Sequence, residues 1–284
     1  MTTSHDSAGR WSDLERPPLN PTALRRGLVL PGGGLWTSLD VVESTGSTNS
    51  DLVARAGELP EGAVLVAEAQ TAARGRLDRG WTAPPRSGLF VSVLLKPEVP
   101  MPRWGWLPLL TGVAVATGLG RAAGVDLSLK WPNDVLVRVD GEERKTGGIL
   151  AEGAGGHGVV VGFGLNVSLR ADELPVPTAG SLLLGNAVST DRDTLLRSVL
   201  RSLETWYDAW QRSGGDPVAS GLQAAYTEKC ATLGRRVRVQ LPGERMLEGD
   251  AVAVDADGRI VVETEGGGTE AVAAGDIVHL RAVG

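Results

Sequence analysis

Residues 126–169 constrain this chain more than any other stretch. Residues 126–130 and 135–139 alternate apolar and polar, the period of a strand with one buried face. Asp140-Gly141 follows at once, a two-residue signal for a tight hairpin. The return runs from Lys145 to Glu152, and residues 158–169 form another apolar run. Strands over 127–129, 135–139, 147–152 and 159–167 are therefore expected side by side in one sheet. Such a sheet must bury a face, and two amphipathic segments can cover it. Residues 104–123 carry Leu107, Leu110, Val113, Ala114 and Thr117 at helical spacing. Leu195, Leu196, Val199, Leu200, Leu203, Trp206, Tyr207 and Trp210 form a second stripe, read as packed core rather than as a cofactor box.

Ahead of these, residues 1–36 are rich in Pro, Gly, Arg and Ser and read as an irregular lead-in, with one short helix near 23–28. A strand is expected at 39–43. A helix starts after Ser47-Thr48-Asn49, with Thr48 and Asp51 at capping-box spacing. Further strands are expected at 63–68 and 88–95, and a last helix at 217–229. The end has a different texture: short strands at 236–241, 251–254, 259–263 and 277–281, separated by Pro-Gly, Asp-Gly and Gly-Gly-Gly breaks, read as a small antiparallel barrel-like module. The expected division is 1–36 lead-in, 37–231 main domain and 232–284 terminal module.

Several classes are excluded. No apolar run reaches the roughly 20 residues of a membrane span, and the first residues lack a secretory pattern. One cysteine cannot form an internal disulfide, so a cytoplasmic protein is expected. One cysteine and three scattered histidines make no structural zinc site and no catalytic triad. Cys230 reads as a buried thiol. A net charge of −6 argues against general nucleic-acid binding.

Four segments can carry chemistry. Gln70 to Trp81 holds Arg74, Arg76 and Arg79 among glycines including Gly75, a flexible cationic loop suited to carboxylate or phosphate. By composition alone a solvated basic loop is the favoured reading, with nucleic-acid binding a weaker alternative in an acidic chain. Lys130-Trp131-Pro132-Asn133-Asp134 joins two strands. It is ordinary turn chemistry, yet it places a large ring between a cation and a carboxylate that suits a divalent ion. Lys145 enters an apolar strand ahead of Gly147 and Gly148, which would let a ligand lie flat; a plain exposed strand start is the alternative. Gly162, Gly164 and Asn166 alternate in a strand, clearing room beside a polar group. They form no dinucleotide fingerprint, because no helix follows.

In this order, Gln70 with Arg74-Gly75-Arg76, Lys-Trp-Pro-Asn-Asp at 130–134, and Lys145 before Gly-Gly-Ile-Leu resemble the biotin–protein ligase family over about residues 40–284. The resemblance implies an α/β (α+β) fold: a class II aminoacyl-tRNA synthetase-like mixed sheet with helices on one side, plus a small C-terminal SH3-like β-barrel. It implies that Ser47, Thr48, Asn49, Gln70, Arg74, Gly75, Arg76 and Lys145 line a biotin site, and that adenine of ATP lies near Asn133 and Asn166. Arg74, Arg76 and Lys145 are candidates for the biotin carboxylate and the α-phosphate, Arg79 and Lys130 for the polyphosphate. Asp134 would orient Lys145 or a water on Mg²⁺, and Trp81 and Trp131 would wall the reactive adenylate. The implied partner is the biotin carboxyl carrier domain of a carboxylase, the implied state a monomer or homodimer. Residues before the first strand are too few and too Pro/Gly-rich for the winged helix some members carry, so no DNA binding is expected. Departures are Ala73 for a family glycine and Leu77-Asp78 beside the arginines. The alternative on the same fold is a lipoate or octanoyl ligase or transferase, but the lone cysteine lies outside the signature. A non-catalytic biotin-binding regulator is disfavoured by the intact lysines and Asp134.

Overall fold

The computed structural model describes residues 15–76, 80–241, 245–273 and 275–280. Its centre is a seven-stranded mixed sheet in the order β1-β2-β3-β7-β6-β5-β4. The strands are β1 (Ser38–Val42), β2 (Ala63–Ala67), β3 (Gly88–Leu95), β4 (Leu127–Lys130), β5 (Asp134–Val139), β6 (Glu142–Gly153) and β7 (Val159–Asn166). β1 and β2 are parallel and every other pair is antiparallel. The β5–β6 turn uses Asp140 at φ 52° and Gly141 at φ 84°. Two left-handed residues are what a type I′ hairpin requires, and they match the strand twist.

Two long helices, α3 (Trp106–Ala123) and α4 (Arg192–Arg212), cover one face of the sheet, with α1 (Pro21–Leu28) and α5 (Leu222–Lys229) beside them. Gly118 lets α3 and α4 approach closely: a Cβ there would lie 2.8 Å from the Val199 Cα. Trp106 stacks edge-on against Tyr226 at 6.1 Å between centroids, a geometry worth about 0.5–1.5 kcal/mol beyond its buried area. The expected one-sided helical layer is not complete. α2 (Thr48–Arg55) packs on the opposite face, where Leu52 and Ala56 join Leu65, Leu94 and Val160 in a second small core. α2 is capped by Ser47, whose side chain accepts from Ser50 N, and not by Thr48. Thr48 directs its own N–H and hydroxyl to Gln70 Oε1 instead.

The C-terminal part is a five-stranded antiparallel sheet, β11-β10-β9-β8-β12. It comprises β8 (Arg236–Gln240), β9 (Met246–Val254), β10 (Ile260–Glu263), β11 (Thr269–Val272) and β12 (Asp276–His279). It is open rather than a closed barrel: β11 and β12 stand at its two ends. Its β9–β10 turn is bound tightly to the main body. The Ala256 carbonyl accepts from Arg103 Nη1 at 2.7 Å and Trp106 Nε1 at 2.9 Å, and the Gly258 carbonyl accepts from Trp131 Nε1 at 3.0 Å.

Candidate functional site

Two adjoining cavities lie between the large sheet, the 70–81 loop and the C-terminal sheet. The inner one, about 210 Å³, is lined by Ser47, Thr48, Asn49 and Gln70 at one end and by Arg74, Gly75, Arg76 and Trp81 from the loop. Asn133, Asp134, Lys145, Gly148 and Gly164 complete it, with Gly275 and Asp276 from the C-terminal sheet. The outer one, about 620 Å³, shares Arg74, Arg76 and Asn133 and runs out over Trp131 and Pro132 to Asp257, Gly258 and Arg259.

The inner end is a polar cluster in which Ser47, Thr48, Asn49 and Ser92 are buried, while Gln70 and Glu152 are partly exposed. Gln70 Oε1 accepts from Thr48 N at 2.8 Å. Ser92 Oγ donates to Asn49 Oδ1 at 2.6 Å, and Asn49 Nδ2 donates to Glu152 Oε2 at 2.7 Å. Asn49 fits only because position 162 is glycine: a Cβ there would sit 2.0 Å from Asn49 Oδ1. Hydrogen bonding of this kind is what makes buried polar groups tolerable, and it fixes their direction.

The cationic side is built by one irregularity. The β5–β6 register slips between Val135 and Leu136, leaving Thr146 as the extra residue of a bulge. A bulge re-aims the side chains that follow it. Lys145 and Gly148 therefore share the cavity face, whereas strict alternation would pair Lys145 with Gly147. Gly147 faces the core instead, where a Cβ would lie 2.5 Å from Leu165. Lys145 Nζ reaches Asp134 Oδ1 at 2.6 Å and stands 5.9 Å from the centre of the Trp81 ring. That ring lies over the cross-strand pair Gly148 and Gly164.

The basic loop is closed at its base. Trp81 N donates to Ala73 O at 3.1 Å, and Arg74 bridges to Gly80. Arg74 donates to Ser50 Oγ at 3.0 Å and lies 3.9 Å from Glu152. Arg76 donates to the Gly275 carbonyl at 3.4 Å. Arg79, and the Asp78 that interrupts the basic run, fall outside the described residues.

Three expected site residues are not on either cavity wall. Gly147 is turned inward by the bulge. Lys130 sits on the edge strand, near enough to His279 to depress its titration. Asn166 is roofed by residues 178–182: its Nδ2 donates to Gly180 O at 3.0 Å, and its Oδ1 is buried without a partner. Conversely, Glu152, Gly275, Asp276 and the 257–259 turn were not expected at the site. Glu152 had a signal, since it shares the strand period of Gly148 and Leu150. The C-terminal residues had none.

Among the described residues no three His, Cys, Asp or Glu side chains cluster as a ready metal cage. A Mg²⁺ bound mainly by phosphate oxygens needs only one or two protein carboxylates. Asp134 is placed to be one, so the donor set fits an ion that arrives with its nucleotide.

Comparison with known proteins agrees with this geometry. Residues 29–166 match the Biotin/lipoate A/B protein ligase family, and residues 232–280 match the Biotin protein ligase C terminal domain. A biotin–[acetyl-CoA-carboxylase] ligase of Mycobacterium tuberculosis is 43% identical over 275 residues, 95% of this chain and 98% of that protein. The bifunctional ligase/repressor of Escherichia coli is 30% identical over 239 residues, 82% of this chain and 71% of that protein. The structure of the biotin protein ligase from Aquifex aeolicus in complex with biotin and ATP superposes with a TM-score of 0.69 at 28% identity, covering 87% of this chain and 100% of that one. On the polar cluster, the cationic wall and these relatives together, the chain belongs to the biotin–protein ligase family.

Proposed function

We propose that this chain couples biotin to AMP at the expense of ATP and passes the biotinyl group to a lysine of a biotin carboxyl carrier domain. The observation that carries the reading is the meeting of Arg76 and Lys145 in one cavity with the buried Ser47–Asn49 segment and Gln70. The polar end supplies donors and acceptors for a ureido ring, and Trp81 supplies an apolar face for the bicycle and its chain. The cationic end receives the carboxylate.

Biotin's carboxylate oxygen attacks the α-phosphorus of ATP, the bond to the bridging oxygen breaks, and pyrophosphate leaves. Two anions meet in that step, so fixed cations must offset their repulsion. Arg74, Arg76 and Lys145 are the groups assigned to this. Asp134 holds Lys145 in place by their ion pair and would hold Mg²⁺, which when bound offsets phosphate charge. The acceptor amine then attacks the acyl carbon, the bond to AMP breaks, and the amine's proton passes to solvent or buffer. Trp81 and Trp131 exclude water from the mixed anhydride meanwhile. Asn133 faces the shared wall and is assigned to the nucleotide. Asn166 Oδ1, an acceptor without a partner, suits the amine of adenine once residues 178–182 move aside.

Incubation with ATP tests the reading: pyrophosphate release should require biotin, and a carrier domain should gain one biotinyl mass. Release that is equal with lipoate or octanoate in place of biotin would favour the other branch of the family. No described helix is long and apolar enough to cross a membrane.

A further inference from the structure

The turn bearing Asn133 and Asp134 is held from behind by the C-terminal sheet. Trp131 N–H donates to Thr232 Oγ1 at 3.0 Å, and Thr232 is completely buried. The same Oγ1 lies 3.1 Å from His279 Nε2. Across the ring, Arg235 Nη1 lies 3.3 Å from His279 Nδ1, and Arg235 is itself paired with Glu143 at 2.8 Å. A guanidinium can only donate. Nδ1 is therefore the acceptor, and the single proton of the neutral ring sits on Nε2, directed at Thr232 Oγ1. One hydroxyl oxygen thus receives both the Trp131 amide and the imidazole.

We infer that His279 is a positioning residue for adenylate formation: its Nε2–H fixes Thr232 Oγ1 where it receives the Trp131 amide, and so holds Asn133 and Asp134 at the cavity wall. Neither His279 nor Thr232 lines the inner or the outer cavity, so the action is indirect. The charged groups facing the ring are Lys130 on β4, Arg235 ahead of β8 and Glu143 on β6. Burial first, then Lys130 and Arg235, push the imidazole down to about 4 against the opposing pull of Glu143. At neutral pH the ring carries the one proton the relay uses.

This inference rests on the biotin-activating reading, and two readouts separate their failures. Wild type, His279→Gln, His279→Leu, Thr232→Val and the Thr232→Val/His279→Leu double variant are compared at pH 7.5 for single-turnover adenylate formation, for biotin Kd and for amide exchange at Trp131. His279→Leu should slow adenylate formation about tenfold and leave biotin Kd within about twofold, because Ser47–Asn49 and Gln70 stand on other elements. His279→Gln, whose amide N–H reaches the Nε2 position, should keep most of the rate. Thr232→Val, which removes the acceptor itself, should lose at least as much as His279→Leu, and the double variant should lose no more than Thr232→Val alone. Trp131 amide protection should follow the same order, and it requires no substrate. The inference fails if His279→Leu adenylates like wild type, if Gln is no better than Leu, if the two losses add, if biotin affinity falls in step with rate, or if Trp131 protection is unchanged. Absence of biotin-dependent pyrophosphate release in the wild type would sink the proposed function instead, while Trp131 exchange would still decide the role of His279.

Discussion

Lys145 Nζ lies 2.6 Å from Asp134 Oδ1, from β6 to the first residue of the neighbouring β5, past the bulge in their pairing. The lysine side chain is 39% exposed and the aspartate 21%, so the pair faces the cavity and is not entombed. A partly exposed ion pair contributes at most about 1 kcal/mol to stability. A cation at the developing charge of a transferring phosphoryl group is worth about 3 kcal/mol to the barrier. Lys145→Met should therefore slow adenylate formation by roughly 100-fold or more while the melting temperature moves little. Pyrophosphate release and a thermal melt on the same preparation check this; a protein that unfolds in proportion to its lost activity would contradict it.

Glu152 is the residue whose importance the structure adds. Its carboxylate takes the Asn49 amide at 2.7 Å and lies 3.9 Å from Arg74. The first contact is short and part-buried, the second long and made by a half-exposed arginine. A hydrogen bond to a charged acceptor is worth about 1.5–3 kcal/mol, so Glu152→Ala should weaken biotin binding by roughly tenfold or more through loss of Asn49's orientation. Glu152→Gln keeps an oxygen for Asn49 and should recover most of the affinity. Titration calorimetry with biotin alone decides; equal affinity in all three proteins would remove Glu152 from the site.

The residues that were legible in the sequence are those with local patterns. Period-two alternation located β4 and β5, unbroken apolar runs located β3 and β7, and Asp140-Gly141 announced its hairpin through the two positive φ values it adopts. Lys145, Asp134 and the arginines stood out because charge at strand ends and in a glycine-bearing loop is a local signal. Failures arose where tertiary structure overrides the local rule. Gly147 was placed on the wrong face because a bulge at Thr146 breaks the alternation. Thr48 was read as a cap because its hydroxyl could serve, but Gln70, distant in sequence, claims it. β11 (Thr269–Val272) went unread because only Val272 of its four residues is buried. The Gly258 wall of the outer cavity is joined to Trp131 by a single carbonyl, and no window of sequence contains both.

Glu68 and Arg192 form an ion pair that is almost fully buried, with side chains 7% and 5% exposed. Glu68 also accepts from Leu19 N at 2.6 Å, and Arg192 donates to Pro17 O at 2.6 Å. The pair thus ties the segment before α1 to the strand end that precedes the basic loop. Arg192→Met leaves a carboxylate buried without its partner, which typically costs about 3–5 kcal/mol. Replacing both residues with Met removes the stranded charge and should restore much of that loss. Urea unfolding of the single and double variants measures both; a double variant less stable than the single would show that the pair acts through something other than charge compensation.

His279 also makes a prediction about acid. Its folded pKa is pushed down to about 4, whereas an unfolded histidine titrates near 6.5. Between those values the unfolded chain binds a proton that the folded chain refuses. Stability is therefore complete above about pH 6.5 and falls as the pH drops toward about 4. The ring is only partly buried, so solvent screening reduces the effect to about 1 kcal/mol, or about 2–4 °C for a chain of this size. Carboxylates protonate over the same range, so the wild-type curve alone is not diagnostic. The difference between wild type and His279→Gln isolates the imidazole, because glutamine keeps the donor to Thr232 and does not titrate. The melting temperature of the wild type should fall more steeply between pH 6.5 and 4.5 than that of His279→Gln, and the two profiles should run parallel above pH 7. Parallel profiles throughout would mean that the ring accepts its second proton in the folded protein as easily as in the unfolded one, and the directed Nε2–H would lose its support.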